Sequence, residues 1–270
     1  MALMVENLCH VYSRGEPDEV KAINIQKIKI EPGEFVVIAG NSSSGKSTLL
    51  RCLAGLMKPT SGKISIDGVE VRRTRGCIGL AVQSPERALF EKTLYDDVAF
   101  GLRNRGYSDS ETCVKARGAI RKVGLDEDLL TCSPRSLSHG QKRLAALAGV
   151  IALKPPYLFL DEPTAGLDTC GRHRVIDALA RLNRDDMTIV AASHNMAHFS
   201  EVVSRLVILA SGKIWFDGKP DGLVSVEGLE SLGLSLPPSL TYARKLVKRD
   251  IAVKWDAKPE KLAELLGRNP

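Results

Sequence analysis

The stretch Phe35-Val36-Val37-Ile38-Ala39-Gly40-Asn41-Ser42-Ser43-Ser44-Gly45-Lys46-Ser47 carries an apolar run into a glycine- and serine-rich loop that closes on a lysine and a serine. A strand that is apolar at every position is buried on both faces, which implies a parallel sheet covered by helices. From Lys46 the apolar residues take helical spacing to about position 57, and Pro59 ends the run. Strand, loop and helix in this order, with Gly-x-x-x-x-Gly-Lys-Ser over Gly40 to Ser47, predict a phosphate cradle. In such a loop successive backbone N–H groups converge on phosphate oxygens at the positive end of a helix. Lys46 would reach the β- and γ-phosphates, and Ser47 would place its hydroxyl on Mg²⁺. The loop alone specifies a nucleoside triphosphate and no particular task.

A second element narrows the chemistry. Tyr157-Leu158-Phe159-Leu160-Asp161-Glu162 is an apolar strand ending in adjacent carboxylates, and open α/β sheets bind ligands beyond the carboxyl ends of their strands. Neighbouring strand residues face opposite ways, so the two acids take different tasks. Asp161 fits a water-mediated Mg²⁺ ligand, and Glu162 fits a general base that orients an attacking water.

Outward from these motifs, alternation over 27–30 predicts a strand joined to 35–39 by the turn Glu31-Pro32-Gly33-Glu34. Residues 63–71 read as a hairpin around Asp67-Gly68, and 203–209 with 213–216 as another through Ser211-Gly212. Helices are expected at 93–102, 110–123, 138–153 and 169–183, and a further buried strand at 188–192. Past about position 220 the pattern weakens to two amphipathic stretches, 240–248 and 259–266. The predicted class is α/β: a mainly parallel central sheet, an antiparallel β subdomain, an inserted helical subdomain and a small helical extension.

The 270 residues suggest one large or two small domains, and a composition 44% hydrophobic and 26% charged is that of a folded globular chain. Apolar runs such as 35–39 fall far short of the roughly 18 residues a membrane-spanning helix needs. The start Met1-Ala2-Leu3-Met4-Val5-Glu6 lacks the marks of a secretory signal, which leads us to expect a cytoplasmic chain. Six scattered cysteines with no Cys-x-x-Cys pair read as reduced structural thiols. The net charge of +6 suits nucleic acid, an anionic membrane surface or an acidic partner, and no basic run is dense enough to choose.

Read together over residues 3–219, these motifs and several weaker ones occur in a familiar order, and the chain resembles the ABC-type ATPases. Gln83 looks like the lone glutamine that links the Mg²⁺ site to the helical subdomain. Leu137-Ser138-His139-Gly140-Gln141 resembles the Leu-Ser-Gly-Gly-Gln signature, and Asp161-Glu162-Pro163-Thr164 the carboxylate pair. Ala165-Gly166-Leu167-Asp168 is similar to the interface loop that follows, His194 occupies the switch-histidine position, and Tyr12 matches the aromatic that stacks on adenine.

The resemblance implies a P-loop NTPase fold in which 1–219 form the ATP-binding domain, 84–136 its helical subdomain, and 220–270 an extension for dimerisation or assembly. It implies ATP and Mg²⁺ as ligands, with Gly40, Asn41, Ser42, Ser43, Ser44, Gly45, Lys46, Ser47 and Thr48 around the phosphates and Gln83, Glu162 and His194 in hydrolysis. Ser138, His139, Gly140 and Gln141 would bind the γ-phosphate held by a partner, and Asp168 would lie in the dimer interface, so hydrolysis requires a second ATPase subunit. Two departures stand out: His139 replaces the first glycine of the signature pair, and Ser43 replaces a common loop glycine. They leave a homodimer, a heterodimer with unequal halves, or a degenerate regulatory partner open.

Gln83-Ser84-Pro85-Glu86, the segment from Phe90 to Gly101 and the tail Leu232-Gly233-Leu234-Ser235-Leu236-Pro237-Pro238 resemble energy-coupling-factor and cobalt-type transporter ATPases. That resemblance implies a membrane scaffold subunit, a separate membrane protein that captures a vitamin or metal ion, a peripheral position on the cytoplasmic face, and no contact with the transported substrate. It implies that Glu86, Asp96 and Asp97 lie near the groove for the scaffold's helices, where their charge would meet basic residues. Another importer class and an ATPase acting on nucleic acid or ribosomes are the alternatives, and the chain lacks the long heptad insertion or tandem ATPase units of the latter.

Overall fold

The computed structural model describes residues 1–74, 76–84, 88–234, 236–247 and Trp255. The expectations that fall on Pro85, Glu86, Ser235 and the stretch 259–266 lie outside the described residues.

Two sheets organise the chain. The central one has six strands in the order β10(Lys213–Gly218), β9(Arg205–Ala210), β3(Phe35–Ala39), β8(Thr188–Ser193), β7(Tyr157–Asp161), β6(Ile78–Ala81). All neighbours pair in parallel except the β9 and β10 hairpin at one edge. The second sheet is antiparallel, in the order β2(Val20–Ile30), β1(Leu3–Tyr12), β4(Ser61–Ile66), β5(Val69–Glu70).

Burial on both faces follows the alternation of side chains along a strand. Phe35, Val37, Leu158, Leu160, Ile189 and Ala191 enter a core shared with α2(Leu94–Asn104), α3(Asp109–Lys122), α4(His139–Ile151) and α5(Thr169–Arg184). Val36, Ile38, Tyr157, Phe159, Val190 and Ala192 face the other way, toward α1(Lys46–Leu53) and the antiparallel sheet. The sheet is thus the middle layer, and its strand ends open where β3 runs into the phosphate loop. Residues beyond β10 also enter the first core: Leu223, Val224, Leu229, Leu240, Ala243 and Trp255 belong to the same buried cluster as β3 and β9, with Leu240 and Ala243 on α6(Pro238–Val247).

Several expectations change in detail. The first helix stops at Leu53 rather than near 57, because Gly55 takes a left-handed φ of 71° directly after the cap. The strand predicted at 27–30 extends back to Val20, and β1 and β6 were not predicted. β1 hides its alternation because Asn7 sits at φ 49° and the pairing with β4 shifts register between Glu6 and Cys9. β6 is four residues long and contains Gly79, whose position leaves no room for a Cβ beside Val150 and Pro155.

Candidate active site

Gly45 caps α1 at φ 100°, and an added Cβ there would meet the carbonyl of Ala22 at 2.5 Å. Only glycine lets the loop lie this close to β2. Ser43, where a glycine is common, sits at φ 66°, so the departure falls on a position that does prefer glycine. Gly212 in the β9 to β10 turn donates its N–H to the Ser44 carbonyl, which braces the loop from the other side.

The resulting cleft, about 350 Å³, is lined by Tyr12, Val20, Lys21 and Ala22 of the antiparallel sheet, by Ser43 and 45–48, and by Ser211 and Gly212. The Tyr12 hydroxyl meets Thr48 Oγ1 at 3.1 Å, and its ring packs edge-on against His10, with centroids 4.7 Å apart. Inside the loop Ser44 is 4% exposed, and its hydroxyl has no hydrogen-bond partner among the described residues. The start of α1 with a buried lysine beside it fits an anion. Lys46, 7% exposed, donates to the Gly40 and Asn41 carbonyls at 2.8 Å each. Burial lowers its pKa, and the charges of Glu162 and Asp161 oppose that shift.

Ser47 Oγ donates to Asp161 Oδ1 at 3.0 Å. Two hard oxygens side by side at the foot of a phosphate loop fit Mg²⁺, which keeps several waters and needs few protein ligands. Gln83 is exposed just past the end of β6. Glu162 departs from the simple strand picture. β7 ends at Asp161, and Glu162 has a left-handed φ of 50°, so the turn rather than strand alternation separates the two acids. Glu162 Oε1 accepts the His194 N–H at 2.9 Å and lies 2.9 Å from His194 Nδ1, while Oε2 accepts from Ser193 Oγ at 3.3 Å.

The signature residues do not line this cleft. Ser138 caps α4 in a capping box, accepting from Gln141 N while Gln141 Oε1 accepts from Ser138 N. His139 is exposed, whereas Gly140 is buried and a Cβ there would come within 3.1 Å of Gly171 Cα on α5. Within the chain, close packing that favours glycine falls at Gly140 rather than at His139. Asp168 caps α5, accepting from Gly171 N at 2.7 Å.

Two residues that motif reading missed tie these parts together. Arg143 of α4 donates to the carbonyls of Gln83 and Ala165, at 3.0 Å each. His198 touches Thr164, Asn195 and Arg172. Neither carries a local signal: Arg143 follows Gln141 and Lys142 as one of several polar residues at the start of α4, and His198 stands alone between Ala197 and Phe199. The extension also reaches the site: Asn41 donates its side-chain amide to the Leu232 carbonyl.

A groove of about 380 Å³ opens between β6 and helices α2 and α4, lined by Val82, Leu89, Phe90, Phe100, Ala146 and Val150 among others. Phe90 and Phe100 are exposed and pack edge-on at 4.9 Å. The acids expected to offer charge here are engaged within the chain. Asp97 accepts from the backbone of Phe90 and Glu91, and Asp96 is held by Thr93 and Arg103. The Thr93 hydrogen bond foremost, then Arg103, holds the Asp96 carboxyl below the usual range. Apolar residues predominate in the lining of the groove, and Asp97 and Arg105 also line it.

A family profile described as ABC transporter matches residues 23–165. The energy-coupling factor transporter ATP-binding protein EcfA2 of Acetivibrio thermocellus is 42% identical over 258 residues, spanning 93% of this chain and 92% of that protein. The solved structure of cbiO1 from Clostridium perfringens, described as part of the ABC transporter complex cbiONQ, matches with a TM-score of 0.77 at 28% identity over 98% of both chains. A dimeric ATP-binding cassette in a post-hydrolysis state, bound to ADP and Pi, matches with a TM-score of 0.71 at 28% identity over 80% of this chain and 98% of that one.

Proposed function

The chain belongs to the ABC transporter family, as an ATPase that hydrolyses ATP to ADP and phosphate, and from that premise we propose that it energises an energy-coupling-factor importer of vitamins or transition-metal ions. It works as one of a pair of ATPases, identical or paralogous, on the cytoplasmic face of the membrane beneath a scaffold subunit, with a separate membrane protein capturing the cargo. None of the helices among the described residues is long and apolar enough to cross a membrane.

The observation that carries the reading is the division of the site. Lys46, Ser47, Asp161, Glu162 and His194 form one connected set around the phosphate loop, while the exposed Ser138 at the start of α4 lies outside the cleft. A helix N-terminus that does not face its own chain's phosphates is available to those of a second copy. ATP between two such chains closes them, and loss of the γ-phosphate removes the contact that holds them shut.

Within one half-site, Tyr12 offers its ring to the adenine, the loop N–H groups and Lys46 hold the phosphates, and Glu162 orients the attacking water. The His194 N–H fixes one carboxylate oxygen of Glu162 and the Ser193 hydroxyl the other, so the base is aimed before substrate arrives. Mg²⁺, when bound, neutralises charge on the transferring phosphoryl group, and Ser47, Asp161 and Gln83 are the residues that would hold it. The apolar groove with Phe90 and Phe100 suits the scaffold's helices.

Glu162→Gln tests the assignment. The amide keeps an acceptor for the His194 N–H and presents its NH₂ to the Ser193 hydroxyl, so the turn is preserved while the base is lost. ATPase activity of the assembled complex should fall by about 10²- to 10⁴-fold with nucleotide affinity unchanged. Wild-type turnover in this variant would sink Glu162 as base.

A further inference from the structure

His198 lies in the 3₁₀ turn Met196–Phe199, a few residues beyond His194. Its Nδ1 is 2.9 Å from Thr164 Oγ1, and its Nε2 is 3.0 Å from Asn195 Nδ2 and 3.3 Å from an Arg172 guanidinium nitrogen. These partners belong to different stretches of the site. Thr164 stands in the turn that begins at Glu162, Asn195 follows His194, and Arg172 is in the first turn of α5 beside the Asp168 cap. Arg172 also reaches Thr169 Oγ1, the first residue of that helix, at 3.4 Å.

The hydrogen bonds determine the state of the ring. Asn195 Oδ1 accepts from Ala197 N at 3.1 Å, which turns the NH₂ end of the amide toward His198. Arg172 has donors only. Both neighbours of Nε2 therefore donate, so Nε2 carries a lone pair and the single ring proton sits on Nδ1, donated to Thr164 Oγ1. Burial, with the charges of Arg172 and His194, holds the imidazole pKa below its ordinary 6.5, and Glu162 opposes this least strongly of the groups that face it. Protonation would place an N–H against two other donors and break the junction.

We propose that neutral His198 is a positioning residue for hydrolysis, a clamp that holds the Glu162 turn, the His194 loop and the start of the helix after Asp168 as one block. The proposal rests on the reading of Glu162 and His194 as hydrolytic groups. Its effect is on the geometry of the base and on its coupling to the interface loop. Since its side-chain hydrogen bonds go to Thr164, Asn195 and Arg172, ATP binding at the phosphate loop is left alone.

The test compares full-length His198→Ala, His198→Gln and Arg172→Gln chains in the assembled complex, measuring kcat and KM for ATP across about pH 5 to 8. His198→Ala should lower kcat by about ten- to a hundredfold, the cost of a loosened reacting geometry, with KM within about twofold. His198→Gln, which keeps a polar group near the Nε2 position, should recover most of the loss. Arg172→Gln removes the positive charge facing Nε2 but keeps a donor, so the acid limb of kcat should move to higher pH. Comparing that variant with the Arg172→Gln/His198→Gln double variant separates His198 from the titration of His194, because the shift should vanish in the double variant. Unchanged kcat in His198→Ala, or an equal loss of kcat and ATP affinity that glutamine does not rescue, overturns the proposal. If the alanine variant does not fold, an unmoved acid limb in Arg172→Gln overturns it instead. Full activity in Glu162→Gln would reject the underlying hydrolytic reading separately, whatever the His198 variants do.

Discussion

Replacing Lys46 with methionine keeps the length of the stem and removes the charge, and the structure predicts opposite effects on folding and on binding. Without nucleotide, the ammonium is buried against two neutral carbonyls, those of Gly40 and Asn41. Desolvation outweighs the attraction of Glu162 and Asp161 and holds its pKa below the ordinary lysine value of 10.5. A lysine whose folded-state pKa is depressed has its stabilising contribution only above the unfolded value, and loses it as pH falls through the folded value. At neutral pH the charge therefore works against the fold. Lys46→Met should leave the nucleotide-free chain as stable as wild type or more so, and should remove the rise in stability expected as pH climbs toward 10.5. Binding shows the other side. Methionine offers the phosphate oxygens no donor, and one hydrogen bond to a charged group is worth about 1.5 to 3 kcal/mol. Losing one such bond lowers ATP affinity by about 10- to 150-fold. Equilibrium titration with a fluorescent ATP analogue, beside denaturant unfolding of the nucleotide-free chain, measures both. Affinity within about threefold of wild type would refute the phosphate role, and a parallel fall in stability would refute the charge argument.

Other expectations follow from single contacts. Tyr12→Ala should weaken ATP binding by about 1 to 3 kcal/mol, the worth of an aromatic platform under a base, while Tyr12→Phe loses only the hydroxyl's contacts to Thr48 and Met57 and should bind nearly as wild type; equal weakening in both would count against stacking. Ser43→Gly relieves a left-handed residue at φ 66° and should raise the unfolding free energy by about 1 kcal/mol, less the added freedom of glycine in the unfolded chain, seen as a higher denaturant midpoint. A lower midpoint would mean that the Ser43 side chain holds the loop. Phe100→Ser, at an exposed ring packed on Phe90, should reduce co-purification with membrane subunits and leave ATP affinity of the isolated chain unchanged; undiminished co-purification would move the docking surface elsewhere.

The phosphate loop was readable because its chemistry is local: backbone donors, a helix start, Lys46 and Ser47 all fall within consecutive residues. The two-faced central strands were readable for the same reason, since period-two burial needs no knowledge of the partner. What escaped depends on contacts between distant segments or on backbone irregularity. β1 was hidden by the left-handed Asn7, and the start of the sheet edge at Ile78 by a glycine. The separation of Asp161 from Glu162 looked like strand alternation and is instead a positive-φ turn. That Thr93, Arg103 and two backbone N–H groups hold the acids at positions 96 and 97 was likewise not visible in the composition. Arg143 and His198 each join stretches remote in sequence, Arg143 to Gln83 and His198 to Thr164, and no spacing rule encodes a bridge of that kind.

The contact between Asn41 and Leu232 gives the chain a handle connecting its fuel port to its far end. Gly233, at φ 60°, lets the backbone approach so closely that a methyl group there would sit 3.2 Å from the same amide nitrogen. Coupling through a shared contact is reciprocal. Any movement of the loop would be felt at Leu232 through this contact, and a grip on that segment from outside would act equally on the loop. The phosphate loop and the extension are thus one mechanical unit at this contact rather than two independent parts.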